Sequence, residues 1–127
     1  MNSVRDLDVY KMAFRLTIDI YKTTKEFPSE EKFGLISQMR RSAISINSNL
    51  VEGSYRNSTK EYRQFVGIAN GSAAELRFQI EIAKELGFIE PGTADNLIRT
   101  SESLCRMLTK LSSSLEKSLT PTRAPTP

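Results

Sequence analysis

Histidine is absent from the 127-residue chain, and cysteine occurs once, as Cys105. Ser-His-Asp and Cys-His nucleophilic catalysis, imidazole acid–base chemistry and nearly all zinc sites need imidazole or several thiolates, so these classes are excluded. A lone thiol forms no intrachain disulfide, which agrees with a reducing compartment. No apolar run approaches the roughly 18 residues that span a bilayer. The opening MNSVRDLDVYK sets Asp6 and Asp8 where a signal peptide needs a basic end followed by an apolar block. The expectation is a cytoplasmic protein with no membrane partner, no cofactor and no small-molecule substrate. Glu52 and Glu75 could be considered as a catalytic carboxylate pair or a ferritin-like di-metal site, but the Glu-x-x-His partners of that chemistry are missing. Neither an enzyme nor a metal site is expected.

What is present is helical patterning. Hydrophobic residues make up 39% and charged residues 26%, the proportions of a globular domain rather than a disordered or membrane segment. From Asp6 to about Glu26, two apolar rows, Leu7, Tyr10, Phe14, Ile18, Tyr21 and Val9, Ala13, Leu16, Ile20, predict an amphipathic helix with a wide apolar face. Its outer bases Lys11, Arg15, Lys22 and Lys25 stand three or four residues from Asp8, Asp19 and Glu26, the spacing of ion pairs on a solvated face. Pro28 ends that helix, and Ser29 is placed to cap a second that runs to about Glu52 with Gly53 as its C-cap.

Ser58, with Glu61 in capping-box position, starts a third helix reaching about Leu86. Asn70-Gly71 is also a hairpin signal, but Tyr62, Phe65, Ala69, Ala73, Leu76, Ile80 and Ala83 stay in phase across it, which a turn would not preserve. Gly87 ends this helix. Pro91 opens a fourth, where Leu97, Ser101, Leu104, Leu108, Leu111 and Leu115 repeat at heptad spacing. Residues 119–127, LTPTRAPTP, read as a disordered Pro/Thr-rich tail. The expected fold class is all-α, an antiparallel up-down-up-down four-helix bundle over residues 1–118.

The stretch Leu35–Gly53 carries two stripes. Leu35, Met39, Ala43, Ile46 and Leu50 share one side, and Gln38, Arg41, Ser42, Ser45, Asn49 and Glu52 another. The third helix offers Ser72, Glu75 and Gln79 at the edge of its own apolar arc. Since a buried unpaired polar group costs about 1–3 kcal/mol, these should bond to each other. The expectation is a buried structural network around an Arg41–Glu75 pair, drawing on Gln38, Ser45, Asn49, Glu52, Ser72 and Gln79 and fixing helix register.

Two patches point outward. Gly67 and Gly71, beside Ala74, lie opposite the apolar row of the third helix. Glycines inside a helix cost about 1 kcal/mol each relative to alanine, an expense offset by close approach of another backbone. Ile44 and Val51 likewise face away from the main apolar stripe of the second helix. These residues predict a subunit interface and a homo-oligomer.

Net charge is +3, which permits a nucleic-acid partner without requiring one. Between Ile36 and Val66, five bases face two acids. Arg40, Arg56, Lys60 and Arg63 are assigned to a phosphate-binding cluster near the second helix junction, with Tyr55 and Tyr62 available for stacking.

Taken together, Phe27-Pro28, Glu31, Phe33-Gly34-Leu35, Gln38, Arg40-Arg41, Ser45-Ile46, Asn49-Leu50, Glu52-Gly53, Ile68-Ala69, Gly71-Ser72, Glu75-Leu76, Gln79, Ala83 and Leu86-Gly87 resemble the four-helix-bundle family of 23S rRNA intervening-sequence proteins. That family is related to the accessory protein of diversity-generating retroelements, and the match spans about Leu7 to Leu115. The resemblance implies a bundle without established enzymatic activity that assembles into a ring, typically a homopentamer; in the retroelement relatives a basic ring serves a reverse transcriptase and its RNA. The family often has an acid where this chain has Arg77. The expected function is a non-enzymatic ring that binds RNA or an RNA-handling protein, the alternative being a protein-interaction scaffold with no nucleic-acid role.

Overall fold

The computed structural model describes residues 3–119, so the tail expected over 119–127 lies, beyond Leu119, outside the described residues. Four helices carry the fold: α1 (Asp8–Thr24), α2 (Leu35–Ser54), α3 (Thr59–Glu85) and α4 (Pro91–Leu119). No strand occurs among the described residues. Cross-helix bonds fix an antiparallel order around the square. On the α1–α2 side, Arg40 meets Tyr21 and Thr24 while Asn47 reaches Tyr10 O. Across α2–α3, Ser42 meets Glu75 and Ser45 meets Ser72.

The core is the apolar set that the periodicity requires. Leu16, Ile20, Met39, Ile46, Leu50, Val66, Leu76, Ile80, Leu104 and Leu108 are fully buried. Phe27 and Phe88, from the α1–α2 and α3–α4 connections, close one end with ring centroids 5.5 Å apart. In α1 the expected wide face divides: Val9, Ala13, Leu16 and Ile20 are buried, whereas Phe14 and Ile18 remain exposed.

α3 runs through Asn70-Gly71 without a break. Ser58 Oγ accepts from the Glu61 N–H at 3.1 Å and caps its start. Its end is a Schellman turn: Gly87 takes φ 77°, and the Gly87 and Phe88 amides donate back to Lys84 O and Ala83 O.

Two boundaries of α2 differ from expectation. Ser29–Glu31 forms only a 3-10 turn, and the regular helix begins at Leu35 after Gly34 leaves helical geometry (φ −107°, ψ −112°). Glu31 Oε1 accepts from the Leu35 N–H at 3.2 Å, so a carboxylate further along the chain, not Ser29, caps the helix. Gly53 is not a C-cap: it lies inside α2 and is buried. A Cβ there would stand 2.7 Å from Phe65 Cβ, so α2 and α3 meet at this point on the strength of a missing methyl.

Between α3 and α4 runs a polar ladder that the sequence reading did not include. Arg63 Nη2 pairs with Glu116 at 3.3 Å, Asn70 Nδ2 donates to Thr109 Oγ1 at 3.0 Å, Arg77 Nη2 pairs with Glu102 at 3.0 Å and Lys84 Nζ with Asp95 at 2.7 Å. The rungs recur every seven residues on both helices, the repeat of a near-antiparallel helix pair.

Candidate functional site

The polar stripe of α2 and its counterpart on α3 meet at a surface groove of about 530 Å³. Gln38, Arg41, Ser42, Ser45, Ser72, Glu75 and Gln79 line it with Leu35, Phe78 and Ile82. Most of the residues assigned to a buried network therefore form the wall of a half-open channel. Ser42 Oγ donates to Glu75 Oε1 at 2.8 Å, Ser45 and Ser72 share a 2.8 Å hydroxyl bond, and Asn49 Nδ2 donates to Ser45 O and Oγ at 2.8 and 2.9 Å.

The expected Arg41–Glu75 pair does not form; among the described residues Glu75 takes its α2 hydrogen bond from Ser42. One residue is about 100° of helix, which turns Ser42 toward α3 and leaves Arg41 on the exposed lip. Glu52 also leaves the network, because it is exposed and pairs with Arg56 at 2.6 Å. Gln38 is exposed at the groove mouth. Gln79 is only 5% exposed, and no donor among the described residues reaches its enclosed Oε1.

The basic cluster is dispersed by the fold. Arg40 and Arg56 are sixteen residues apart on or just past one helix, about 24 Å at 1.5 Å per residue. Arg40 is committed to structure: its Nε donates to Thr24 Oγ1 at 2.9 Å, Nη2 donates to Tyr21 O at 3.3 Å, and the guanidinium lies 4.5 Å from the Tyr21 ring centroid. Arg56 stacks 4.8 Å over Phe65 while paired with Glu52, and Arg63 pairs with Glu116. At that end Glu52 engages Arg56 and Glu116 engages Arg63, which leaves Lys60 exposed.

A different basic surface is present on α4. Arg99, Arg106, Lys110 and Lys117 are exposed and fall within about 40° of one another around the helix. The acids of α4, Asp95, Glu102 and Glu116, all engage α3 through the ladder. None of the four bases forms an ion pair with a described residue, and Arg106 bonds only to its neighbour Ser103. The seven-residue spacings 99/106 and 110/117 were the available signal.

Of the residues assigned to an interface, Ile44 is exposed, and Gly67, Gly71 and Ala74 form an open row on α3. Nothing lies within 4 Å of a Cβ added at either glycine. Val51 differs from expectation, being half-buried against the core. Larger outward residues were missed: Ile68 and Phe78 flank the glycine row, with Phe78 61% exposed, and Leu86 follows two turns on. Phe14 and Ile18 form a second ridge on α1.

Among the described residues no group of three or more Cys, Asp or Glu side chains is placed to hold a metal ion, and no helix is long and apolar enough to cross a membrane. Burial pushes the Cys105 thiol above its usual range, which disfavours a thiolate.

No curated protein matches the chain. A crystal structure of a protein of unknown function from the S23 ribosomal protein family of Bacteroides thetaiotaomicron superposes with a TM-score of 0.76 at 21% identity, covering 83% of this chain and 95% of that one. The likeness supports the bundle and its connectivity. The model of the 23S rRNA-intervening sequence protein family matches residues 5–110, the span of α1 to α3 and most of α4, and the chain belongs to that family.

Proposed function

We propose that this protein is a non-enzymatic assembly unit whose homo-oligomeric ring docks other macromolecules. The supporting observation is the exposure of two unlike apolar surfaces, Phe14 and Ile18 on α1, and Ile68 and Phe78 on α3 with Leu86 just past its end. Large exposed apolar side chains concentrated in patches mark interaction sites, and unlike patches join head to tail, closing a ring or extending a filament. Chemical cross-linking of nuclease-treated protein tests this. A ladder of species ending at a fixed number is expected, and monomer alone at micromolar concentration would overturn it.

RNA is the second component of this reading, and the observation that favours it is the uncompensated stripe of Arg99, Arg106, Lys110 and Lys117. Those bases span about 27 Å of helix, and a ring repeats them once per subunit, which supplies the charge density one copy lacks. Phosphate binding of this kind weakens steeply with salt through counterion release. Fluorescence anisotropy with a structured RNA should show that dependence; salt-independent binding, or none at low salt, leaves the protein-scaffold reading in its place.

A further inference from the structure

The α2–α3 groove is polarised along its length. The bonds Ser42–Glu75 and Ser45–Ser72 set an antiparallel register that brings Leu35 opposite Ile82 and Gln38 opposite Gln79. One end is therefore apolar, walled by Leu35, Ile82 and the exposed ring of Phe78, while the other carries the hydroxyls of Ser45 and Ser72. Both charges of the lining, Arg41 and Glu75, fall at one level between these ends, because Arg41 is the chain neighbour of the serine bonded to Glu75.

Neither charge is neutralised within the chain. Arg41 is exposed on the lip and enters no ion pair with a described residue, and Glu75 uses one carboxylate oxygen, on Ser42. Gln79, one turn from Glu75 and 95% buried, has a carbonyl without a donor among the described residues. The lining thus carries one cation and one anion, and it sets them side by side at the head of an apolar slot. From the level of Leu35 to that of Ser42 is about 10 Å of helix, which accommodates one leucine or phenylalanine lying along the groove. The groove volume of about 530 Å³ is in the range of small-molecule sites.

We propose that the α2–α3 groove binds a free α-amino acid with a large apolar side chain. The carboxylate takes the Arg41 guanidinium, the ammonium donates to the second oxygen of Glu75 and turns a further donor toward Gln79, and the side chain lies against Leu35, Phe78 and Ile82. An α-amino acid presents both of its charges on a single carbon with the apolar group as the third substituent. That is the arrangement of the lining, two opposite charges at one level with the apolar end to one side of them. This site goes beyond the assembly and RNA readings and depends on neither.

Isothermal titration of the full chain, in the assembly it forms, with L-leucine and L-phenylalanine tests this. Saturable binding of at least one of them is expected, and binding of neither at about 10 mM overturns the proposal. L-Alanine, with most of the apolar group removed, should bind at least about ten-fold more weakly than L-leucine; equal binding would mean that the apolar end is not used and would overturn it. L-Leucinol keeps the ammonium without the carboxylate, and N-acetyl-L-leucine keeps the carboxylate without the ammonium. Each should bind at least about ten-fold more weakly than L-leucine. Arg41→Gln and Glu75→Gln, both at exposed positions and checked for folding by circular dichroism, should weaken L-leucine by a similar factor. The decisive readout is the pairing of variant with ligand. Arg41→Gln should no longer distinguish L-leucine from L-leucinol, and Glu75→Gln should no longer distinguish L-leucine from N-acetyl-L-leucine. A merely structural role for either side chain would weaken all ligands alike and keep both ratios at their wild-type values, which would overturn the assignment.

Discussion

Arg77 reaches from α3 to Glu102 on α4, Nη2 to Oε2 at 3.0 Å, while its Nε lies 3.6 Å from Glu81 one turn along its own helix. The position where the family often carries an acid is thus occupied here by the cation of an inter-helix rung. Because both partners are substantially exposed, the pair is worth little individually. A double-mutant cycle with Arg77→Ala and Glu102→Ala should give a coupling of about 0.2–1 kcal/mol that shrinks at high salt. A coupling above about 2 kcal/mol would mean that the rung is shielded by something beyond the single chain.

Gly53 should not tolerate a methyl group. The Cβ of Gly53→Ala would meet Phe65 Cβ at 2.7 Å and Tyr62 O at 3.3 Å, atoms that shift only with the backbone of α3. Overpacking of this kind costs about 1–3 kcal/mol, less up to about 1 kcal/mol recovered from helix propensity. Urea unfolding should show a net loss; a stabilised variant would contradict the tight α2–α3 approach.

Gln79 carries the opposite expectation. Its enclosed Oε1 has no donor among the described residues, so Gln79→Met, close in shape and apolar, removes a desolvated carbonyl. The isolated bundle should gain up to about 1–2 kcal/mol. A loss of that size in the urea midpoint would show that the amide is satisfied in solution.

Alkaline pH should destabilise the fold. The hydrogen bond and charge of Asp95 hold the Lys84 ammonium above its ordinary pKa, and burial raises the Tyr62 hydroxyl and Cys105 thiol. For all three the unfolded chain releases its proton first. Stability contributed this way is present below the unfolded values, from about 8.5 for a thiol to about 10.4 for lysine, and falls as pH rises through that range. Urea midpoints at pH 8 and pH 10.5 test the sign, since an equal or higher midpoint at pH 10.5 would contradict it. Cys105 should also react more slowly with a disulfide reagent in native protein than in denaturant.

The α4 stripe gives a directional test. Arg106→Glu with Lys110→Glu should lower the steepness of the salt dependence of RNA binding by about 2 in log–log slope. Arg56→Glu with Arg63→Glu should change it far less, because Glu52 and Glu116 already engage those side chains. The reverse ranking would return the interface to the α2–α3 end.

Helix existence and core membership were legible because burial follows the 3.6-residue period directly, as the unbroken phase from Tyr62 to Ala83 across Asn70-Gly71 illustrates. What failed depended on distances between elements. Arg40 and Arg56 look like neighbours in a charge count, yet the length of α2 separates them. The polar partners Ser45 and Ser72 were legible, but whether their stripe lay in the core or on a groove is set by how closely α2 and α3 pack. Arg63, Asn70, Arg77 and Lys84 repeat every seven residues in plain view; their ladder becomes visible only once α4 is in register. Start positions suffered from local competition, since Glu31 rather than Ser29 caps α2.

Self-association through unlike faces is tested most directly by native mass spectrometry of the purified, nuclease-treated chain. A closed ring predicts one dominant species at a fixed integer multiple of 14.3 kDa, unchanged across a ten-fold dilution. A single peak at 14.3 kDa throughout the same dilution series would contradict it.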